Sequence, residues 1–279
     1  MRIAFQGATG AYSEAAALRG WPDAQPVPHD SFEEVFAAVS AGRVSHGILP
    51  IENSVGGSIH RNYDLLLEHD LPIVAEAELP VIHNLLALPG TRIDQIRRVF
   101  SHPQALAQCE KFLRSLGVEI VATYDTAGSA RLVRDDRLTD TAAVASARAA
   151  EAFGLDVLRE GIQDYEDNIT RFIVVARDPK PLGSPDKTTI AFSLNNEPGA
   201  LFKALSVFAL RDIDLTKLES RPVRGRPWEY LFYVDLAAGR DELPCSRAIV
   251  HLAEFARWVK TLGSYPRCKP AERTEAAAR

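Results

Sequence analysis

The stretch that most constrains the fold is residues 177–186, where Pro179, Pro181, Gly183 and Pro185 fall within ten positions. Each proline fixes φ and removes a backbone donor, so the segment reads as a linker between domains rather than as a helix or a paired strand. The chain has a different rhythm on either side of it. Before it, strand-like runs (2–5, 99–100, 118–124, 142–145) alternate with helical patterns (14–18, from Ser31, 105–116, 147–153). That βαβα alternation predicts an α/β domain with a mostly parallel sheet and helices on both faces. After the linker the order becomes strand 188–194, helix 199–210, strands 213–220 and 229–236, helix 246–260 and a short strand near 264–265. This βαββαβ order is the ferredoxin-like arrangement. The predicted domains are 1–177 and 188–265, with 178–187 as linker and 266–279, rich in Ala, Glu and Arg, as a tail expected to be disordered.

Composition narrows the function classes. A formal net charge of −5 with no basic block argues against a nucleic-acid partner. No apolar run approaches the ~20 residues of a membrane helix and no basic-then-apolar signal opens the sequence, so no membrane partner and a cytoplasmic location are expected. Cys109, Cys245 and Cys268 lack any zinc spacing, and Cys109 falls on the apolar face of a helix, where it reads as core. His83, alone in an apolar run, reads as a satisfied core residue.

Polar groups gather at four places. Asp167-Asn168-Ile169-Thr170-Arg171-Phe172 leads a polar loop into a β-branched run. An unpaired Arg171 would cost several kcal/mol to bury, so it either pairs with a carboxylate of the protein or awaits an anion. The strand-like run from His46 ends in Glu52, Asn53 and Ser54, at the carboxyl end where open α/β sheets place ligands. Glu52 there reads as the partner of a basic side chain or as a general base. Gly7 and Gly10 precede a helix opening near Ser13, a turn that admits close backbone approach and favours an anion, although it matches neither nucleotide-binding glycine motif. Ser101-His102-Pro103-Gln104 has the form of a helix cap with proline in the first turn.

Taken together, Pro50-Ile51-Glu52-Asn53-Ser54 with Gly57, Ser101-His102-Pro103-Gln104 and Asn168-Ile169-Thr170-Arg171-Phe172 resemble the signatures of the prephenate dehydratase family. Gly199-Ala200-Leu201 and Glu219-Ser220-Arg221-Pro222 resemble the phenylalanine-binding motifs of its regulatory ACT domain; Gly239-Arg240 stands where the family often has Gly-His. The resemblance covers about residues 1–265, and no chorismate mutase-like helical segment precedes the first motif, as expected of the monofunctional form. It implies a two-lobed, periplasmic-binding-protein-like catalytic domain, with lobe crossings near 75 and 160, followed by the ACT domain. The activity implied is loss of carbon dioxide and water from prephenate to give phenylpyruvate, driven by aromatisation and needing no metal or other cofactor. By the same resemblance Thr170 would serve the departing hydroxyl and Arg171 would clamp a carboxylate. Asn53, Ser54, Ser101, Gln104, Phe172, Gly10 and Ser13 would complete the substrate site. L-Phenylalanine would act as effector at Asn195, Gly199, Ala200, Leu201, Glu219, Ser220, Arg221 and Pro222, in a homodimer or homotetramer. Arogenate dehydratase and a non-catalytic small-molecule sensor are the alternatives.

Overall fold

Along the chain the elements run β1 (Arg2–Gln6), α1 (Tyr12–Gly20), β2 (Gln25–His29), α2 (Phe32–Ser40), β3 (His46–Asn53), β4 (Gly57–Ser58), α3 (His60–Glu68) and β5 (Ile73–Pro80). They continue with β6 (Asn84–Ala87), β7 (Arg98–Ser101), α4 (Pro103–Gln108), α5 (Glu110–Leu116), β8 (Glu119–Ala122), α6 (Thr126–Asp135), β9 (Thr141–Ala145), α7 (Ala147–Phe153), β10 (Asp156–Arg159) and β11 (Ile169–Ala176). The last group is β12 (Lys187–Leu194), α8 (Ala200–Ala209), β13 (Leu215–Val223), β14 (Arg226–Leu236), α9 (Leu243–Phe255) and β15 (Ala256–Tyr265). This computed structural model describes residues 1–223 and 226–268. It divides into two units, Met1–His69 with Ala77–Ile173, and Asp70–Glu76 with Val174–Arg279.

The first unit is built on two sheets. One has the order β11-β3-β1-β2, with β4 on β3, and β1 pairs parallel to both β2 and β3. Ile3, Ala4 and Phe5 are fully buried there, as a central parallel strand covered on both faces requires. The other sheet, β10-β6-β9-β7-β8, is mixed: β7 is parallel to β8 and β9, while β6 is antiparallel to β9 and β10. Its core includes Leu85, Val99, Cys109, Leu113 and Val144, so Cys109 is core as expected, although it stands between two helices. The chain thus crosses between the sheets after Pro80 and again before Ile169. The first crossing falls later than position 75 because residues 73–80 form one continuous strand.

The helix expected over 105–116 is broken at Cys109 (φ −117°, ψ 20°) into α4 and α5. The Gln108 carbonyl accepts instead from the Asp164 N–H at 2.7 Å, which removes a link from the helical ladder and swings the following turn.

In the second unit the order is β13-β14-β12-β15-β5, with α8 and α9 supplying Val207, Phe208 and Leu252 to a core shared with Phe192 and Val234. Helix α9 ends at Phe255, short of the expected Lys260, and β15 begins immediately. Its pairing with β12 from Leu194↔Ala256 to Lys187↔Tyr265 wins over the local helical preference of residues 256–260. Lys187 is held by Glu76 at 2.7 and 2.9 Å, and Glu76 also accepts from the Cys268 N–H at 2.8 Å. Both side chains are below a tenth exposed. Lys187→Met should therefore cost about 3–5 kcal/mol by stranding a buried carboxylate, read as a lower midpoint in chemical denaturation. Of the expected tail, Arg267 is tied to Asp186 at 2.8 Å, and residues 269–279 lie outside the described residues.

Candidate active site

A cavity of about 490 Å³ opens in the first unit, lined by strand residues of β1, β3 and β11 and by helix starts and loops, among them Ser13, Asn53, Gln104, Thr170 and Phe172. Four helix N-termini reach it: Tyr12 and Ser13 of α1, Phe32 and Glu33 of α2, Gln104 and Ala105 of α4, and Thr126 of α6. Ser31, His102 and Asp125 cap the last three, whereas no side chain caps α1. Partial positive charge at helix starts suits a site for carboxylates.

Three side-chain amides form a closed ring beside this cavity. Asn53 Nδ2 donates to Asn168 Oδ1 at 2.7 Å, Asn168 Nδ2 to Gln108 Oε1 at 3.1 Å, and Gln108 Nε2 back to Asn53 Oδ1 at 3.4 Å. The backbone N–H groups of Val55 and Gly56 also donate to Asn53 Oδ1, at 3.1 and 2.6 Å, and this fixes which end of the amide is oxygen. Asn53 Nδ2 therefore points at Thr170 Oγ1, 2.9 Å away. Thr170 accepts that bond, so its own proton is left for a partner in the cavity.

Strand alternation separates Arg171 from this face. Thr170 and Phe172 line the cavity, and Arg171 between them projects the other way. Its guanidinium donates to Glu52 at 3.0 Å and is 13% exposed. The carboxylate clamp expected of Arg171 is not on the cavity wall in this structure, where Arg171 ties β11 to β3 through Glu52, the partner of a basic side chain. Arg171→Ala is expected to lose about 1–3 kcal/mol of stability, between the exposed and buried limits for ion pairs, with KM within a few-fold; thermal melts and kinetics check both.

Three other expected substrate residues hold the frame. Ser54 Oγ donates to the Asp167 carbonyl at 2.7 Å and accepts from the Ile169 N–H at 2.9 Å, pinning the entry of β11. Ser101, fully buried, donates to the Val144 carbonyl at 2.7 Å. Gly10 has φ +89°, and a Cβ there would lie 2.6 Å from the Ala149 backbone, so packing alone requires glycine. Gln104 does line the cavity, and it approaches Gly56 so closely that a Cβ at Gly56 would overlap its amide. Nothing in the sequence sets Gln108 or Tyr12 apart, Asn168 stands there only as part of its motif, and His83 reads as core. Gln108, one helical turn past Gln104, was the most accessible of them.

The expected effector residues occupy two stretches of the second unit. Asn195 follows β12, Gly199 (φ +79°) opens α8, and Ala200 and Leu201 pack on the core. Glu219 and Arg221 share one face of the edge strand β13, and Ser220 and Pro222 share the other.

A cavity that brings Thr170, Gln104 and Ser13 together beside the amide ring, followed by a βαββαβ module, is the build of a two-domain protein that takes a small molecule. The sequence model of prephenate dehydratase matches residues 3–180, and that of the ACT domain matches residues 188–243. Arogenate dehydratase/prephenate dehydratase 2 of Arabidopsis thaliana is 51% identical over 277 residues, covering 95% of this chain and 73% of that protein. A structure of prephenate dehydratase from Arthrobacter aurescens in complex with L-Phe superposes with a TM-score of 0.87 at 33% identity, covering 96% and 90% of the two chains. Another, GqqA, described as a novel type of quorum quenching acylase, superposes at 0.88 with 38% identity, covering 96% and 98%. The chain belongs to the prephenate dehydratase family and is a dehydratase with a C-terminal ACT domain.

Proposed function

We propose that the chain converts prephenate to phenylpyruvate in phenylalanine biosynthesis, with Thr170 serving the departing hydroxyl. The observation that carries this reading is the Asn53 N–H bound to Thr170 Oγ1, which leaves the threonine proton facing the cavity. In the reaction the C–C bond to the ring carboxylate breaks and its electron pair enters the ring. The C4–O bond breaks at the other end, and one proton converts the leaving hydroxide to water. Prephenate is a dianion, and the helix starts around the cavity, with Ser13 and Gln104, would hold its carboxylates. Phe172 supplies an apolar wall for the ring.

Arogenate, with an amino group in place of the keto group, is a second reading, favoured by the arogenate dehydratase/prephenate dehydratase name of the Arabidopsis relative. Comparing kcat/KM for the two substrates decides between them. A sensor that binds without turnover has no use for an oriented hydroxyl donor at its centre.

The ACT domain and the L-Phe complex of the Arthrobacter relative support feedback inhibition by L-phenylalanine. The effector site would join the Gly199 turn of one copy to the Glu219–Pro222 stretch of β13 of another, in a homodimer or homotetramer. The unpaired edge of β13 suits such an interface. Millimolar L-phenylalanine should depress turnover, and insensitivity would remove this role. The location we propose is cytoplasmic, although the Arabidopsis relative is chloroplastic; fractionation checks it.

A further inference from the structure

His83 is 2% exposed and borders the same cavity, and both nitrogens of its ring are engaged. Nε2 lies 2.8 Å from Gln108 Oε1 and Nδ1 lies 2.8 Å from the Tyr12 hydroxyl. The tautomer follows from bonds further along the network. The Val55 and Gly56 N–H groups can only donate, so they meet an oxygen on Asn53 and leave its nitrogen for Asn168 and Thr170. Asn168 must then present nitrogen to Gln108, and Gln108 must present oxygen to both Asn168 and His83. A carbonyl oxygen has no proton to give, so His83 Nε2 is the donor. Nδ1 is left to accept from Tyr12, whose single proton also has the Ile82 carbonyl at 2.8 Å. Burial pulls the imidazole pKa down and the Gln108 bond offsets part of that, so the neutral ring is the form present near pH 7. Tyr12 meets the ring edge-on at 5.5 Å between centroids.

We propose that His83 is a positioning residue for Thr170, acting through Gln108 and Asn53, with Tyr12 holding its ring. The inference rests on the catalytic reading above. The path has three links: His83 Nε2–H to Gln108 Oε1, Gln108 Nε2–H to Asn53 Oδ1, and Asn53 Nδ2–H to Thr170 Oγ1. Each amide accepts at oxygen and donates at nitrogen, so the links polarise one another in the same sense. Losing the first donor leaves Gln108 Oε1 only the 3.1 Å bond from Asn168 and loosens the aim of the last link.

The test compares His83→Gln, His83→Asn and His83→Leu in kcat and KM. A glutamine amide reaches the Nε2 position and retains the donor, whereas asparagine reaches only as far as Nδ1. Asparagine and leucine should lower kcat by about 10- to 100-fold, the range shown by outer hydrogen-bond partners of metal ligands, with KM within a few-fold. Glutamine should stay within a few-fold of wild type. Equal losses in the glutamine and asparagine variants, or a raised KM at unchanged kcat, would overturn the proposal. Nitrogen-15 histidine spectra of the wild-type protein give a reading free of activity and of variant folding. A neutral ring protonated on Nε2 is expected for His83, assigned by its loss in His83→Gln, and protonation on Nδ1 would refute the assignment. Wild-type protein inactive on both prephenate and arogenate would instead sink the proposed function, while the nitrogen spectra still decide the tautomer.

Discussion

Thr170→Ala is expected to lower kcat by at least about 100-fold and to leave KM within a few-fold, since a positioned proton donor acts chiefly in the transition state. The substitution removes the hydroxyl that faces the cavity and leaves Asn53 Nδ2 its bond to Asn168 at 2.7 Å, so the frame survives. A threonine hydroxyl is a weak acid near neutral pH. In the proposed mechanism its contribution is therefore geometric: a donor placed where hydroxide departs, with its oxygen already occupied by an N–H. Steady-state kinetics at saturating substrate check the size of the effect, and wild-type kcat in the variant would remove Thr170 from the chemistry.

Asn53→Asp changes one atom and should cost about 100- to 1,000-fold in kcat, comparable to deleting a preorganised transition-state donor. The Val55 and Gly56 N–H groups would still hold one carboxylate oxygen in the place of Oδ1. The other oxygen would then stand 2.9 Å from Thr170 Oγ1, where only an acceptor's role is open to it. Thr170 would have to turn its proton inward to this carboxylate, away from the substrate. The same oxygen would oppose Asn168 Oδ1 at the former 2.7 Å contact, so a lower melting temperature should accompany the lost rate. Kinetics and thermal melts of Asn53→Asp beside Asn53→Ala separate the reversed proton from the missing amide. A kcat for Asn53→Asp close to wild type would show that the direction of this bond is immaterial.

Much of the architecture was legible because local signals and tertiary packing agreed. The proline-bearing segment marked a change from α/β to βαββαβ order, and Ser31, Asp125 and Gly117 mark helix ends as their residue types suggest. Where tertiary pairing competed with local preference, it prevailed: residues 256–260 left the helix for β15. In the site, period two could be read along Ile169-Thr170-Arg171-Phe172, but not which face meets the cavity, because that depends on how β11 is seated beside β3. The charge and the hydroxyl therefore looked like joint ligands when they face opposite ways. His83 was read as core for a related reason. Its partners Tyr12 and Gln108 lie 71 and 25 positions away, and a lone histidine in an apolar run carries no trace of either.

The most direct test of the account is to supply the purified protein with prephenate, and separately with arogenate, and to follow carbon dioxide together with phenylpyruvate or phenylalanine. One carbon dioxide per aromatic product, from at least one of the two substrates, is the predicted result. Binding of either substrate with no aromatic product would contradict it, and would leave the oriented hydroxyl of Thr170 without a reaction to serve.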